Sequence, residues 1–504
     1  MQPARHSARS RRRGILVAGV LGLALLVAAA SVVVWAYTAK PGDPGQYADE
    51  LDTLTRAASG APAGAKDEWV DFVLTVGAVH AFQDSYFSDH PRPDDWPPAV
   101  GWPTDVSELN AEGPVNPAVA AYFNGFLDAF GASDLPARID RLAAIRLAPR
   151  PAPQGRTMDW PLPELGPTRF LARLNAARMR RASLAGDFDE LVRAHEANLA
   201  VANVLSRQVT LIDYLFASAI TILSNQHLRY ALTDHALDAA TLERLVAVHD
   251  RHPLGDVTTA FRGERFFALD TVNWTHTDDG SGGGTLLPAV LATLEPPMRT
   301  PITANPLDPA VLFAPTHPIR NVLGLAFAGK RETVARIDGL FNLYANDPAR
   351  PGIAPTLPTL DAELDRLGGR FPILAVLFPA LSKVQSTVRL TTHHVNATRL
   401  LLAIELHRAR RGTPPDTLAA LVPGELPAIP PDPFSPDGFR YLRVDPAVDP
   451  HGRAYLLYTV GLDGKDNGGV QDPKNPMAAM LPGPKSEGLD TVLNPPRPTS
   501  STAP

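Results

Sequence analysis

The chain has no cysteine. Disulfide scaffolds, Cys-ligated zinc, iron–sulfur clusters and thiol nucleophiles are therefore excluded together. Acidic residues are missing from the first 40 positions, which hold six of the 47 basic residues; the rest of the chain sets 41 basic against 53 acidic residues, a net of −12. An acidic body of this kind argues against nucleic acid, whose binders cluster Lys and Arg. Several catalytic signatures are also missing. No HExxH occurs, because His195-Glu196 is followed by Leu199; there is no GxSxG, and the glycine run at 280–284 lacks the Lys of a phosphate cradle. What the chain has in quantity is proline, 51 in 504 residues, beside a hydrophobic share of 45%. That composition makes packed cores interrupted by many rigid connections, with length for about three domains.

Arg5, Arg9, Arg11, Arg12 and Arg13 precede Gly14 to Tyr37, 24 residues without a charge. About 20 apolar residues span a bilayer's hydrocarbon core as a helix, and Trp35 and Tyr37 stand where aromatic rings favour the interface. The basic flank stays cytoplasmic, so the sequence predicts one uncleaved anchor in a bacterial inner membrane, with the body outside the cytoplasm. A cleaved signal peptide is the rival, but its apolar region runs only 7–15 residues. A second apolar stretch, Val209 to Leu223, carries Asp213 near its middle. A charge there is costly in lipid, so this stretch reads as a buried helix of the body.

The expected fold is mainly α. Its parts are a basic tail (1–13), the transmembrane helix (14–37), a stalk (38–65), a helical domain (66–270), a Pro/Gly-rich connection (271–330), further helices (331–411), a small α+β module (412–472) and a disordered tail (473–504). Helices are expected over 67–87, 116–130, 134–147 and 168–184. Gly186 ends the last of these, and Asp187 with Glu190 forms a capping box for the next helix. Short links between these helices give a bundle or irregular α-hairpin stack. The fragment SLAGDFDELVRAHEANL resembles the inter-helix turn of tetratricopeptide repeats, without a second copy at that family's 34-residue period. Pro372 and Pro379 break the later helical run, leaving 380–411 continuous.

Past Gly412 come a short helix (Pro415–Val422), the turns PPDPF and SPDG, strands over 439–444 and 454–460, and the loop GLDGKDNGG. Over about 398–472 this order resembles the globular half of the type II secretion major pseudopilin. The resemblance implies a small antiparallel sheet leading to a calcium-binding Asp/Gly loop. The pseudopilin processing motif, with its Phe and Glu after the Gly, is absent: Gly14 is followed by Ile15, Leu16, Val17, Ala18 and Gly19. The whole layout also resembles a group of large membrane-anchored bacterial proteins that share an FRGER-like segment, here Phe261–Arg265.

The loop's own chemistry fits calcium, which takes six to eight hard oxygens. Asp463, Asp466, Asn467 and Asp472 offer four donors within ten residues, among glycines able to turn carbonyls inward. A solvated Asp/Gly hairpin is the other reading. Adjacent His393 and His394 point to different sides of a helix. His249 and His252 read as a solvated helix end, and Glu264 as an ion-pair partner of Arg262 or Arg265. The function expected is an interaction scaffold whose partners are envelope or secretion proteins. The alternative is a periplasmic hydrolase using Glu264 or a His pair in a cleft of the helical domain.

Overall fold

A computed structural model describes residues 24–60, 68–91, 96, 116–145, 148–294, 316–345, 367, 369–377, 379–472, 478–480 and 487–495. The basic tail, the first ten residues of the expected anchor, most of the Pro-rich segment after His90 and the start of the helix expected at Leu360 lie outside them. The described architecture is mainly helical with one small sheet. The anchor expectation is corrected. Among the described residues, no helix is long and apolar enough to cross a membrane. The first helix, α1, is described over 24–38. Its last turn packs instead on the body: Ala36 is buried, its carbonyl accepts from Asn321 Nδ2 at 3.0 Å, and Tyr37 meets His317 edge-on.

The segment expected as a stalk also lies against the body. Its helix α2 (Ala48–Ser59) rests on α10 (Val257–Thr275), where Tyr47 meets Phe266. One buried carboxylate, Asp270, ties two distant segments there, accepting from Gly45 N at 2.5 Å and from Thr157 N at 2.8 Å.

Capping residues set the helical body. Asn116 opens α4 (Pro117–Gly131), which follows α3 (Trp69–Asp89), and α5 (Leu135–Leu142) ends a turn earlier than its periodicity suggests. Helix α6 (Leu165–Ala185) stops at Gly186, whose φ of 70° is the left-handed value that glycine reaches without strain. Asp187 then accepts from Glu190 N at 3.0 Å to start α7 (Phe188–Ser206). Only half of the capping box forms, because the Glu190 carboxylate turns to Arg178 and Arg193. Thr210 caps α8 (Leu211–Asp234), Asp238 caps α9 (Ala239–Arg251) and Asp256 caps α10. Each such cap contributes on the order of 1 kcal/mol. The apolar run from Val209 is therefore an internal helix, with α6, α7 and α10 packed around it.

After a one-turn α11 (Pro288–Leu291) come α12 (Lys330–Ala345), α13 (Pro372–Leu377) and the long α14 (Pro379–Arg411), the last two each with a proline at its first position. Helix α14 packs along α8 and α9. The short helix after Gly412 is a 3-10 turn, Leu418–Leu421. Strand β1 (Arg440–Arg443) pairs antiparallel with β2 (Tyr455–Thr459), with Tyr441 opposite Leu457. The tail expected to be disordered supplies β3 (Thr491–Val492), antiparallel to the other edge of β2. Asn494 extends that pairing with its side chain, accepting from Leu457 N and donating to Tyr455 O. Phe439, Tyr455, Leu457 and Leu493 share one apolar cluster with α6–α9 and with residues 397–406 of α14, so the sheet is fused to the helical core.

Gly263, at the centre of the FRGER segment, marks a close crossing in the body. A Cβ there would stand 1.9 Å from Val209 O, just ahead of α8. Gly263→Ala should therefore destabilise the fold by about 1–3 kcal/mol, the cost of overpacking a filled core. A urea melt checks this, with Gly131→Ala, which meets open space, as the control.

Candidate functional site

The most concentrated polar chemistry lies inside the bundle, along α8. Ser224 Oγ stands 2.8 Å from His195 Nδ1, and His195 Nε2 stands 3.2 Å from His249 Nε2. One proton must sit between those facing nitrogens, so the pair is a relay of two neutral rings. Burial pushes both rings down, His249 to about 3, and the Arg399 charge adds to the effect on His249. His252, one turn on, stands 3.3 Å from Glu196 Oε1. The helix-end reading of His249 and His252 is thus corrected: both are buried, at 6% and 4% exposure, because α7 and α14 pack against α9. They line a cleft of about 230 Å3 with Tyr214, Thr221, Asn396 and Arg399. Such a cleft supplies hydrogen bonds to a small molecule. It is poorly suited to proton abstraction, since a base held near 3 is weak at neutral pH.

A second buried network opens α8. Arg150 donates to Asp213 Oδ2 at 2.5 Å and Oδ1 at 2.6 Å and also pairs with Glu164; its guanidinium lies 4.9 Å from the Trp69 ring and 5.5 Å from Trp160. Glu264 joins from α10, accepting from Leu211 N at 3.3 Å. Burial, with Asp213 nearby, pushes this carboxyl up to about 7, although part of the residue still meets solvent. The expected ion pairing within FRGER does not form. Arg265 turns to Asp338 at 2.8 Å instead.

At the Asp/Gly loop the structure brings Asp463, Asp466 and Asn467 into one turn. Asp463 accepts from Lys465 N and Gly488 N, both at 3.0 Å. Asp466 accepts from Gly468 N at 3.0 Å and Tyr458 OH at 2.8 Å, and pairs with Arg440 at 3.2 Å. These donors and Arg440 hold the Asp466 carboxyl below its usual range. Asn467 gives its backbone N–H to Asp490, an acid the sequence reading missed because it arrives from the tail 23 positions on. Asp472 is half-buried at the end of the loop. Repulsion among these carboxylates is relieved by the N–H donors and by the Arg440 guanidinium. Among the described residues, no group of three or more His, Asp or Glu side chains is arranged around a common metal position.

Outside the polar interior, α6 and α8 leave an apolar groove of about 390 Å3. Leu215, Phe216, Ile220 and Leu223 line it, and Arg169 and Arg173 stand at its rim. No protein-family model, curated protein or solved structure matches this chain.

Glu264 yields a test of the buried network. Its raised folded value means the neutral form is favoured in the native state. That contribution is complete below the unfolded value near 4.5 and is lost as pH rises through about 7. His249 slopes oppositely: its stabilisation is present above 6.5 and is lost as pH falls toward 3. The informative quantity is therefore the difference between wild type and Glu264→Gln in urea midpoint across pH 5 to 8. The variant should match wild type at the acid end and exceed it at pH 8. Parallel curves would show that Glu264 titrates normally.

Proposed function

We propose that this protein is an interaction scaffold whose α6–α8 groove receives an amphipathic helix with an acidic flank from a partner. The carrying observation is the outer stripe of α8. Ile212 is 45% exposed, and Leu215, Phe216, Ala219 and Leu223 follow at helical spacing along the groove. A soluble helix normally buries such a stripe, and grooves of this kind take the apolar face of a second helix. Arg169 and Arg173, one turn apart on α6, give the rim a positive sign on a chain whose body is strongly acidic. Complementary charge then selects an acidic helix over a basic one.

The hydrolase alternative has a cleft to work in, but weaker chemistry. His249 is held too far down to serve as a base, and Glu264 is engaged at the amino end of α8. A binding role also agrees with a body in which caps, ion pairs and a shared apolar core fix the helices rigidly.

Fluorescent amphipathic peptides of matched hydrophobicity, one acid-flanked and one base-flanked, test the proposal by anisotropy. The acidic peptide should bind better. Phe216→Asp should weaken it by roughly tenfold or more, the loss of one apolar anchor. Arg169→Glu should reverse the preference while the melting temperature stays within the range of surface substitutions. Equal affinity for both peptides, unaffected by either change, would overturn the docking site.

A further inference from the structure

A third polar group, farther along the contact between α8 and α14, serves neither the groove nor the histidine relay. Arg229 is only 7% exposed, and among the described residues no carboxylate pairs with it. Its Nη1 has no hydrogen-bond partner. One turn earlier on the same face of α8, Asn225 is fully buried, with both its amide nitrogen and its amide oxygen unpartnered. The Arg229 charge reaches His393 and His394 on α14, whose Nε2 and Nδ1 respectively are also buried without a partner. Orphaned buried polar atoms along one helix contact call for a water, an ion or a ligand.

The donor and acceptor types narrow the choice. His393 Nδ1 stands 3.1 Å from Asp432 Oδ1. Asp432 also accepts from Thr459 Oγ1 and from Phe434 N at 3.0 Å. A carboxylate only accepts, so His393 carries its proton on Nδ1 and presents a bare lone pair at Nε2. The seam therefore offers two donors, the Arg229 guanidinium and Asn225 Nδ2, two acceptors, Asn225 Oδ1 and His393 Nε2, and His394 Nδ1, which donates or accepts according to its tautomer. Water would satisfy the neutral atoms but not the guanidinium, because a buried charge requires a countercharge. Chloride or sulfate would answer the charge but bring no proton for the acceptors.

We infer that the seam between α8 and α14 binds a small oxyanion that keeps a hydroxyl proton at neutral pH, of which hydrogen phosphate is the simplest. The guanidinium and the Asn225 amide hold the charged oxygens. The hydroxyl donates to Asn225 Oδ1 or His393 Nε2. A phosphate monoester and a hydroxycarboxylate share this chemistry, and free phosphate is the probe that isolates it.

Equilibrium dialysis of the full chain with radiolabelled inorganic phosphate, together with melting curves in phosphate, sulfate and chloride at equal ionic strength, tests the site. One equivalent of phosphate should bind and raise the melting temperature, with sulfate and chloride well behind. Arg229→Met should lower phosphate affinity by roughly a hundredfold, the loss of a charge-assisted contact. Without phosphate the same variant should melt at or above wild type, because a lone buried charge has been removed. Asn225→Leu serves as the second variant should the first fail to fold, and it should abolish the preference for phosphate over sulfate. Absence of phosphate binding, with identical melting in all three salts, would mean that waters fill the seam and would overturn the site. Sulfate binding as well as phosphate would overturn the hydroxyl-bearing ligand.

Discussion

Asp213 is the constraint around which the helical body is arranged. Helix α8 packs against α6, α7, α10 and α14, and it begins with a carboxylate that has no exposure at all. An unanswered charge at that depth would cost several kcal/mol. Arg150 answers it from the extended segment ahead of α6, held between Trp69 and Trp160, with Glu164 on its other side. The pairing fixes where residues 148–165 run, and hence where α6 starts. Glu264 then brings a third carboxyl to a network with one cation. Burial raises that carboxyl to about 7, and the neighbouring Asp213 adds to the effect.

Local chemistry was the legible part of this chain. Asp187 caps a helix where the sequence places it, Gly186 ends α6, and Pro372 and Pro379 stand at the first positions of their helices. The first strand pair followed from alternation and turn residues. Features that depend on distant partners were not legible. Arg150 and Asp213 are 63 positions apart, and His195 and His249 are 54 apart, so nothing local distinguishes them from solvated residues. Strand β3 is two residues long and carries no alternation, and its pairing is completed by an asparagine side chain. The Asp/Gly loop showed its acids in sequence, but Arg440 and the Gly488 N–H arrive only on folding.

The first apolar run shows why composition misleads in one direction. An uncharged stretch ending in Trp and Tyr meets the compositional test for a span. Residues 35–37, however, are packed against a 3-10 segment near Asn321 and His317. Burial against protein and burial in lipid ask for the same side chains. What folding adds here is the destination of the last turn, whose Ala36 carbonyl accepts from Asn321.

The contact between α8 and α14 carries the remaining polar chemistry, set within a cluster of leucines and alanines. Apolar contacts there would tolerate sliding by a turn, since Leu and Ala repeat along both helices. Polar groups do not: His393 must meet Asp432, and Asp432 must meet Thr459 on β2. Those two bonds set the register of α14 against the sheet, much as a buried polar residue fixes register in a coiled coil. Tyr455 adds a third tie, donating to Glu405 Oε1 at 2.6 Å. The sheet is therefore locked to the same stretch of α14 that faces Arg229. A ligand bound at that guanidinium would press on the joint between sheet and bundle, and its free energy would appear as stability of the whole body.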